Sequence, residues 1–137
     1  MLGSSFRVAL RAATCIVAFA IAGCGPRMYP VHGKVTLPGG QPAANTQVLF
    51  ETQSDGKVIS ARGDVQADGS FVMSTNKPGD GVPAGKYRVQ VNPPPMLNAE
   101  AAPVSLFNRK YEKFDSSGLE FEVGPGKSNE FLIEVTK

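Results

Sequence analysis

The chain has 137 residues, with 15 Gly, 11 Pro, no Trp, eight Phe, three Tyr and a formal charge of +2. That length supports one domain with a real core and excludes two well-packed ones, and so many turn-forming residues argue against long helices. The densest basic group, Arg109-Lys110 with Lys113, is interrupted by Glu112 and Asp115; interspersed charge of this kind lacks the basic stripe that nucleic-acid binding requires.

Residues 1–23 read as an export signal. Arg7 and Arg11 form a positive start, and Ala12 to Ala22 is apolar apart from Thr14. Ile21-Ala22-Gly23-Cys24 resembles a lipobox, the site at which a bacterial lipoprotein is cleaved and its cysteine lipidated. The resemblance implies a mature chain that begins at acylated Cys24, held to a membrane by two or three acyl chains, far more firmly than by one myristoyl group. The apolar run is short against the roughly 20 residues of a membrane span, although an uncleaved anchor and a soluble secreted product remain alternatives. Cys15 leaves with the signal, so the mature domain has neither free thiol nor disulfide. The 14 Lys and Arg fall to 12 once Arg7 and Arg11 leave, matching the 12 Asp and Glu.

Residues 24–30 form a short lipidated tether in which Pro26 and Pro30 limit helix formation. Residues 31–137 follow as a single domain. Val31 to Leu37 predicts a strand with Val31, Val35 and Leu37 on one face, and with Gly33 inward where a neighbour comes close. Thr46 to Gln53 places Val48, Phe50 and Thr52 on one face, leaving the cover of Leu49 open. Lys57 to Val65 is a slimmer edge strand, expected to carry a bulge. Phe71 to Thr75 points Phe71 and Met73 inward, and Gly85 to Val91 alternates Tyr87, Val89 and Val91 with Lys86, Arg88 and Gln90. Gly39-Gly40, Asp55-Gly56, Asp68-Gly69 and Asp80-Gly81 supply the turns.

Asn92 to Ser117 has no sustained period and exceeds the usual loop length of a compact domain, marking it as functional, mobile or hiding a short element. Its apolar residues are expected to fold back as a lid over one end of the domain. Phe107, Tyr111 and Phe114 within it are candidate platforms for a ligand, against the plainer reading of a core-capping loop. The chain closes with two alternating segments, Leu119 to Val123 and Phe131 to Val135, joined through Gly124-Pro125-Gly126-Lys127 and expected to pair as an antiparallel hairpin.

This series resembles the small β-sandwich domains related to the carboxypeptidase regulatory domain and the transthyretin (prealbumin-like) fold, and specifically the single-domain lipoproteins of planctomycete-type bacteria. The resemblance is carried by Val31-His32-Gly33-Lys34-Val35-Thr36-Leu37, Gly40-Gln41-Pro42, Val48-Leu49-Phe50, Ala67-Asp68-Gly69-Ser70-Phe71 and Pro83-Ala84-Gly85-Lys86-Tyr87-Arg88-Val89. It implies an all-β, seven-stranded Greek-key sandwich used for stability or interaction, and it implies no catalytic residue.

The remaining chemistry is sparse. His32 is the only histidine and falls on a polar strand face, so neither a metal site nor a catalytic triad is specified. Asp64 to Thr75 begins like a calcium loop, but Gln66 and Thr75 stand where ligands are needed; an ion held by Asp64, Asp68 or Asp80 is a minor alternative. Gly126-Lys127-Ser128 imitates a phosphate loop without its first glycine or following helix. The expectation is a non-enzymatic, membrane-tethered structural or protein-interaction lipoprotein of the cell envelope, with no metal or cofactor. Its partners are the membrane, through Cys24, and an envelope protein or glycan. The alternative is a carbohydrate- or peptide-binding module using the 92–117 loop. Gly25 is not the aspartate that resembles an inner-membrane retention signal, which favours the outer membrane over the inner.

Overall fold

A computed structural model describes residues 25–96 and 105–137; the expected export signal, with the lipobox-like residues Ile21, Ala22 and Gly23, and Cys24, the expected lipidation site, lie outside them. The described chain is all-β, with nine strands in three small sheets and one short helix. In chain order the strands are β1 (Met28–Tyr29), β2 (His32–Thr36), β3 (Gln47–Ser54), β4 (Lys57–Asp64), β5 (Ser70–Val72), β6 (Val82–Pro83), β7 (Gly85–Asn92), β8 (Leu119–Val123) and β9 (Glu130–Glu134).

Strands β4-β3-β7-β8 form an antiparallel sheet, and β5-β2-β9 a second in which β2 and β9 run parallel. Alternation decides what lies between them. Val48 and Phe50 of β3, Tyr87, Val89 and Val91 of β7, and Val123 of β8 meet Val35, Phe71 and Ile133 from the second sheet in one buried core. Contacts between Phe50 and Phe131, with ring centroids 6.1 Å apart, and between Phe121 and Phe131 cross from sheet to sheet. The polar positions of the same strands, Lys86 and Arg88 among them, face outward.

Gly33 lies on the inward face of β2, as expected, and a Cβ there would sit 1.9 Å from the carbonyl oxygen of Phe131 and 2.8 Å from the Phe71 ring. The missing side chain is what lets β9 and the Phe71 ring approach. Strand β4 is at a sheet edge, again as expected. Its eight residues nevertheless pair one for one with β3, so the expected bulge is absent from the Lys57–Asp64 register. Instead, the backbones of Arg62 and Ser74 exchange hydrogen bonds of 2.9 and 2.8 Å and tie this edge to the segment after β5.

Two further expectations are corrected. Leu119–Val123 and Glu130–Glu134 do not form a hairpin: β8 pairs with β7, and β9 pairs with β2 in the other sheet. Asn129, buried and at positive φ, makes the turn. Its side-chain amide donates to the Gly124 carbonyl and its side-chain oxygen accepts from the Gly124 amide, each at 3.2 Å. That closed loop sends the chain across the core rather than back beside β8. The 24–30 segment is not a plain tether either, because Met28 pairs with Pro83 and Tyr29 with Val82.

The same registers define two ends of the domain. At one end lie the starts of β2, β7 and β9, the end of β8 and the Asp55-Gly56 turn. At the other lie the ends of β2 and β7, the starts of β3 and β8, and the Asp68-Gly69 turn. The chain enters at the first end through β1. Both described stumps of the 92–117 loop belong to the second.

Candidate functional site

The residues singled out in the 92–117 loop divide sharply. Asn108 begins a 3-10 helix, Arg109–Glu112, its side chain accepting from the Lys110 amide at 3.0 Å, and the Asn108 amide donates to the Thr136 carbonyl at 2.7 Å. This anchorage turns Phe107 and Tyr111 inward. They are 2% and 6% exposed, meet edge to face with centroids 6.2 Å apart, and belong to the core. As ligand platforms they are therefore corrected to core residues, since a buried ring offers no face to a partner. The Tyr111 hydroxyl lies 3.1 Å from Thr136 Oγ1, a hydrogen bond that holds its pKa below the ordinary phenol range.

Phe114 keeps an exposed share of its ring, with the Arg88 guanidinium 5.7 Å from its centroid. Arg88 is the hub of the outer face of the four-stranded sheet. It donates to Glu51 Oε1 at 2.7 Å from one nitrogen and to Asp115 from another. Lys86 pairs with Glu120 at 3.1 Å beside it. The lower part of this face, between Arg88, Phe114, Asp115 and Leu119, holds a shallow depression of about 390 Å³. Sequence reasoning placed Arg88 on a polar face but missed its convergence with Glu51 and Asp115, because alternation identifies a face and not a cross-strand neighbour. The loop's return to the sheet is fixed by Ser117, buried, whose hydroxyl donates to the Val89 carbonyl.

The other candidates are dispersed. His32 is exposed, with Glu130 at 4.0 Å across the parallel register. Asp64 accepts from the Gln47 amide at 2.9 Å, and Asp68 accepts from both the backbone and the hydroxyl of Ser70, which lowers its pKa. Asp80 accepts from the amides of Thr75 at 2.7 Å and of Asn76 and Lys77 at 3.0 Å, bonds that hold its carboxyl below the ordinary range. Asp68 and Asp80 each close their own turn, and Asp64 bonds across the strand pair to its register partner Gln47. Among the described residues no three His, Cys, Asp or Glu side chains converge as metal ligands would. Lys127 of the Gly126-Lys127-Ser128 segment pairs with Glu122 at 2.9 Å.

At the entry end, a shallow cleft of about 380 Å³ lies between Arg27, Tyr29 and His32 on one side and Pro125 and Lys127 on the other. Arg27 stands over the Tyr29 ring, 5.6 Å from its centroid. No helix among the described residues is long and apolar enough to cross a membrane.

No known protein family, curated protein or solved structure matches the chain.

Proposed function

We propose that this chain is a non-enzymatic lipoprotein of the bacterial cell envelope, tethered through acylated Cys24, whose domain serves as a structural or protein-interaction module. In this reading the two larger sheets constitute a Greek-key sandwich of the carboxypeptidase regulatory or prealbumin-like kind, with β1 and β6 as an added clasp. The outer membrane is its favoured location. The observation that carries the reading is the opposition of the two ends: the segment that follows Cys24 enters at one end, and Asn92 and Leu119 open the long loop at the other. A lipid-held domain arranged this way presents its loop away from the bilayer. Intact mass spectrometry of the chain purified from membranes tests the anchor, with a diacylated or triacylated amino terminus expected and an unmodified one opposing it. Crosslinking and affinity capture of the acylated protein tests the module, a specific envelope protein being the expected result.

A second reading, a glycan- or peptide-binding module, now centres on Phe114 and Arg88. The half-exposed ring beside a shallow polar depression is the feature that favours it. A glycan or peptide array probed with the acylated protein and with its Phe114→Ala variant separates the two, because only the second reading expects binding that the substitution abolishes.

A further inference from the structure

We infer that the entry end of the domain, bounded by Arg27, Tyr29, Pro125 and Lys127, lies flat against the headgroups of an anionic phospholipid bilayer, with Arg27 and Lys127 meeting lipid phosphates. The inference rests on the anchoring proposed above and adds an orientation and a contact surface to it. Its first support is reach. Only Gly25, Pro26 and Arg27 separate Cys24 from Met28, so even a fully extended link spans about 14 Å. A domain of about 100 residues has a radius of gyration near 13 Å, so such a link is too short to let the domain turn its far end to the lipid.

The second support is that the link's inner end is clamped. Met28 and Tyr29 are paired with Pro83 and Val82, and Gly81, at positive φ, packs so closely that a Cβ there would lie 2.0 Å from the Tyr29 carbonyl oxygen. On the other side of the cleft, the His32 amide donates to the Asn129 carbonyl at 3.2 Å, and the Asn129 side chain locks the loop that carries Pro125 and Lys127. Chain entry and loop thus form one rigid surface.

The third support is the surface chemistry. Arg27 stacked over a half-exposed Tyr29 is the amphipathic pairing suited to a bilayer interface, with apolar bodies near the lipid and a cationic head at the phosphates. Between them, Gly124-Pro125-Gly126 adds no charge. The acids at this end are Glu122, which pairs with Lys127 but leaves that side chain half-exposed, Glu130 beside His32, Asp55 at the hairpin tip, and Asp80, whose carboxylate is held by the Thr75, Asn76 and Lys77 amides. Polybasic attraction does not supply the anchorage here; the acyl chains do, the short link decides which end faces the lipid, and the two cations draw that end onto the headgroups.

The test uses the full chain, acylated in its host and reconstituted into phosphatidylglycerol and phosphatidylethanolamine vesicles carrying a headgroup nitroxide. Fluorophores are placed singly through Ser128→Cys at the entry end and Ala67→Cys at the far end, positions separated by the length of the domain. The expected result is flotation with the vesicles and quenching at the entry end at least about threefold greater than at the far end, given the size of the domain. Arg27→Glu with Lys127→Glu is expected to lift the entry surface from the headgroups and lower the contrast between the two labels, the short link still keeping the entry end nearer the lipid, while flotation persists. Flotation with equal or reversed quenching overturns the orientation and leaves the anchor standing, and an unchanged contrast in the double variant overturns the role of the two cations. Failure to float overturns the anchor, and with it the contact surface.

Discussion

The rings of Phe121 and Phe131 stack with centroids 4.3 Å apart and planes 14° from parallel, although their strands belong to different sheets. This pair closes the side of the core where β8 and β9 part company, and Phe131 also meets Phe50 from β3. The two strands that look like a hairpin in the sequence are therefore joined by side chains rather than by a backbone ladder.

Phe131→Ala is expected to destabilise the domain by about 2–4 kcal/mol, somewhat below a fully buried phenylalanine because the ring is only half-buried. A double-mutant cycle with Phe121→Ala should return a coupling of about 1 kcal/mol. Urea denaturation of the four proteins measures both, and additive losses would mean that the stacking contributes nothing of its own.

Gly33→Ala should cost more than about 3 kcal/mol or prevent folding, since the new methyl meets the Phe131 carbonyl and the strand must separate from β9 to admit it. Gly124→Ala is the matched control. Nothing lies within 4 Å of a Cβ at that position, so its urea midpoint should stay close to that of the parent.

Tyr87 gives the alkaline limit. Its ring is fully buried, its hydroxyl donates to the Pro83 carbonyl at 2.7 Å, and burial pushes its pKa up to about 12. The unfolded phenol loses its proton near pH 10, so its stabilising contribution is complete below that pH and is lost as pH rises toward the folded value. Tyr87→Phe should cost about 1 kcal/mol at neutral pH, for the lost hydrogen bond, and should flatten the alkaline fall in thermal midpoint.

Asp80 gives an acid limit of the opposite sense. With its carboxyl held below the ordinary range by the Thr75, Asn76 and Lys77 amides, the contribution is complete above the ordinary carboxylate pKa and is lost as pH falls through the folded one. Asp80→Asn should therefore unfold at lower urea than the parent near neutral pH, the difference shrinking in acid. Because Asp80 adjoins Gly81 and the β1–β6 clasp, hydrogen exchange at Tyr29 and Val82 should rise in the same variant.

Much of the fold is legible because a strand with one buried face writes a period of two into its residues. Lys86, Arg88 and Gln90 against Tyr87, Val89 and Val91 need no coordinates to be assigned to opposite faces. Strands β1 and β6 escape such reading: two residues carry no period, and β1 adjoins Pro30 while β6 contains Pro83. In the long loop, Phe107 and Tyr111 were recognisable as large apolar groups, but only the Asn108 cap and the Thr136 contact turn them inward.

What the residues determined by themselves was local: which positions alternate, and where glycine lets the chain turn. The tertiary structure alone decided which strand lies beside which, that β9 joins β2 in parallel, and that chain entry and long loop occupy opposite ends. The physical reason is that alternation specifies burial but is the same for every partner, whereas pairing is settled by contacts between distant residues, among them the Phe131 carbonyl against Gly33 and the Asn129 amide that closes on Gly124.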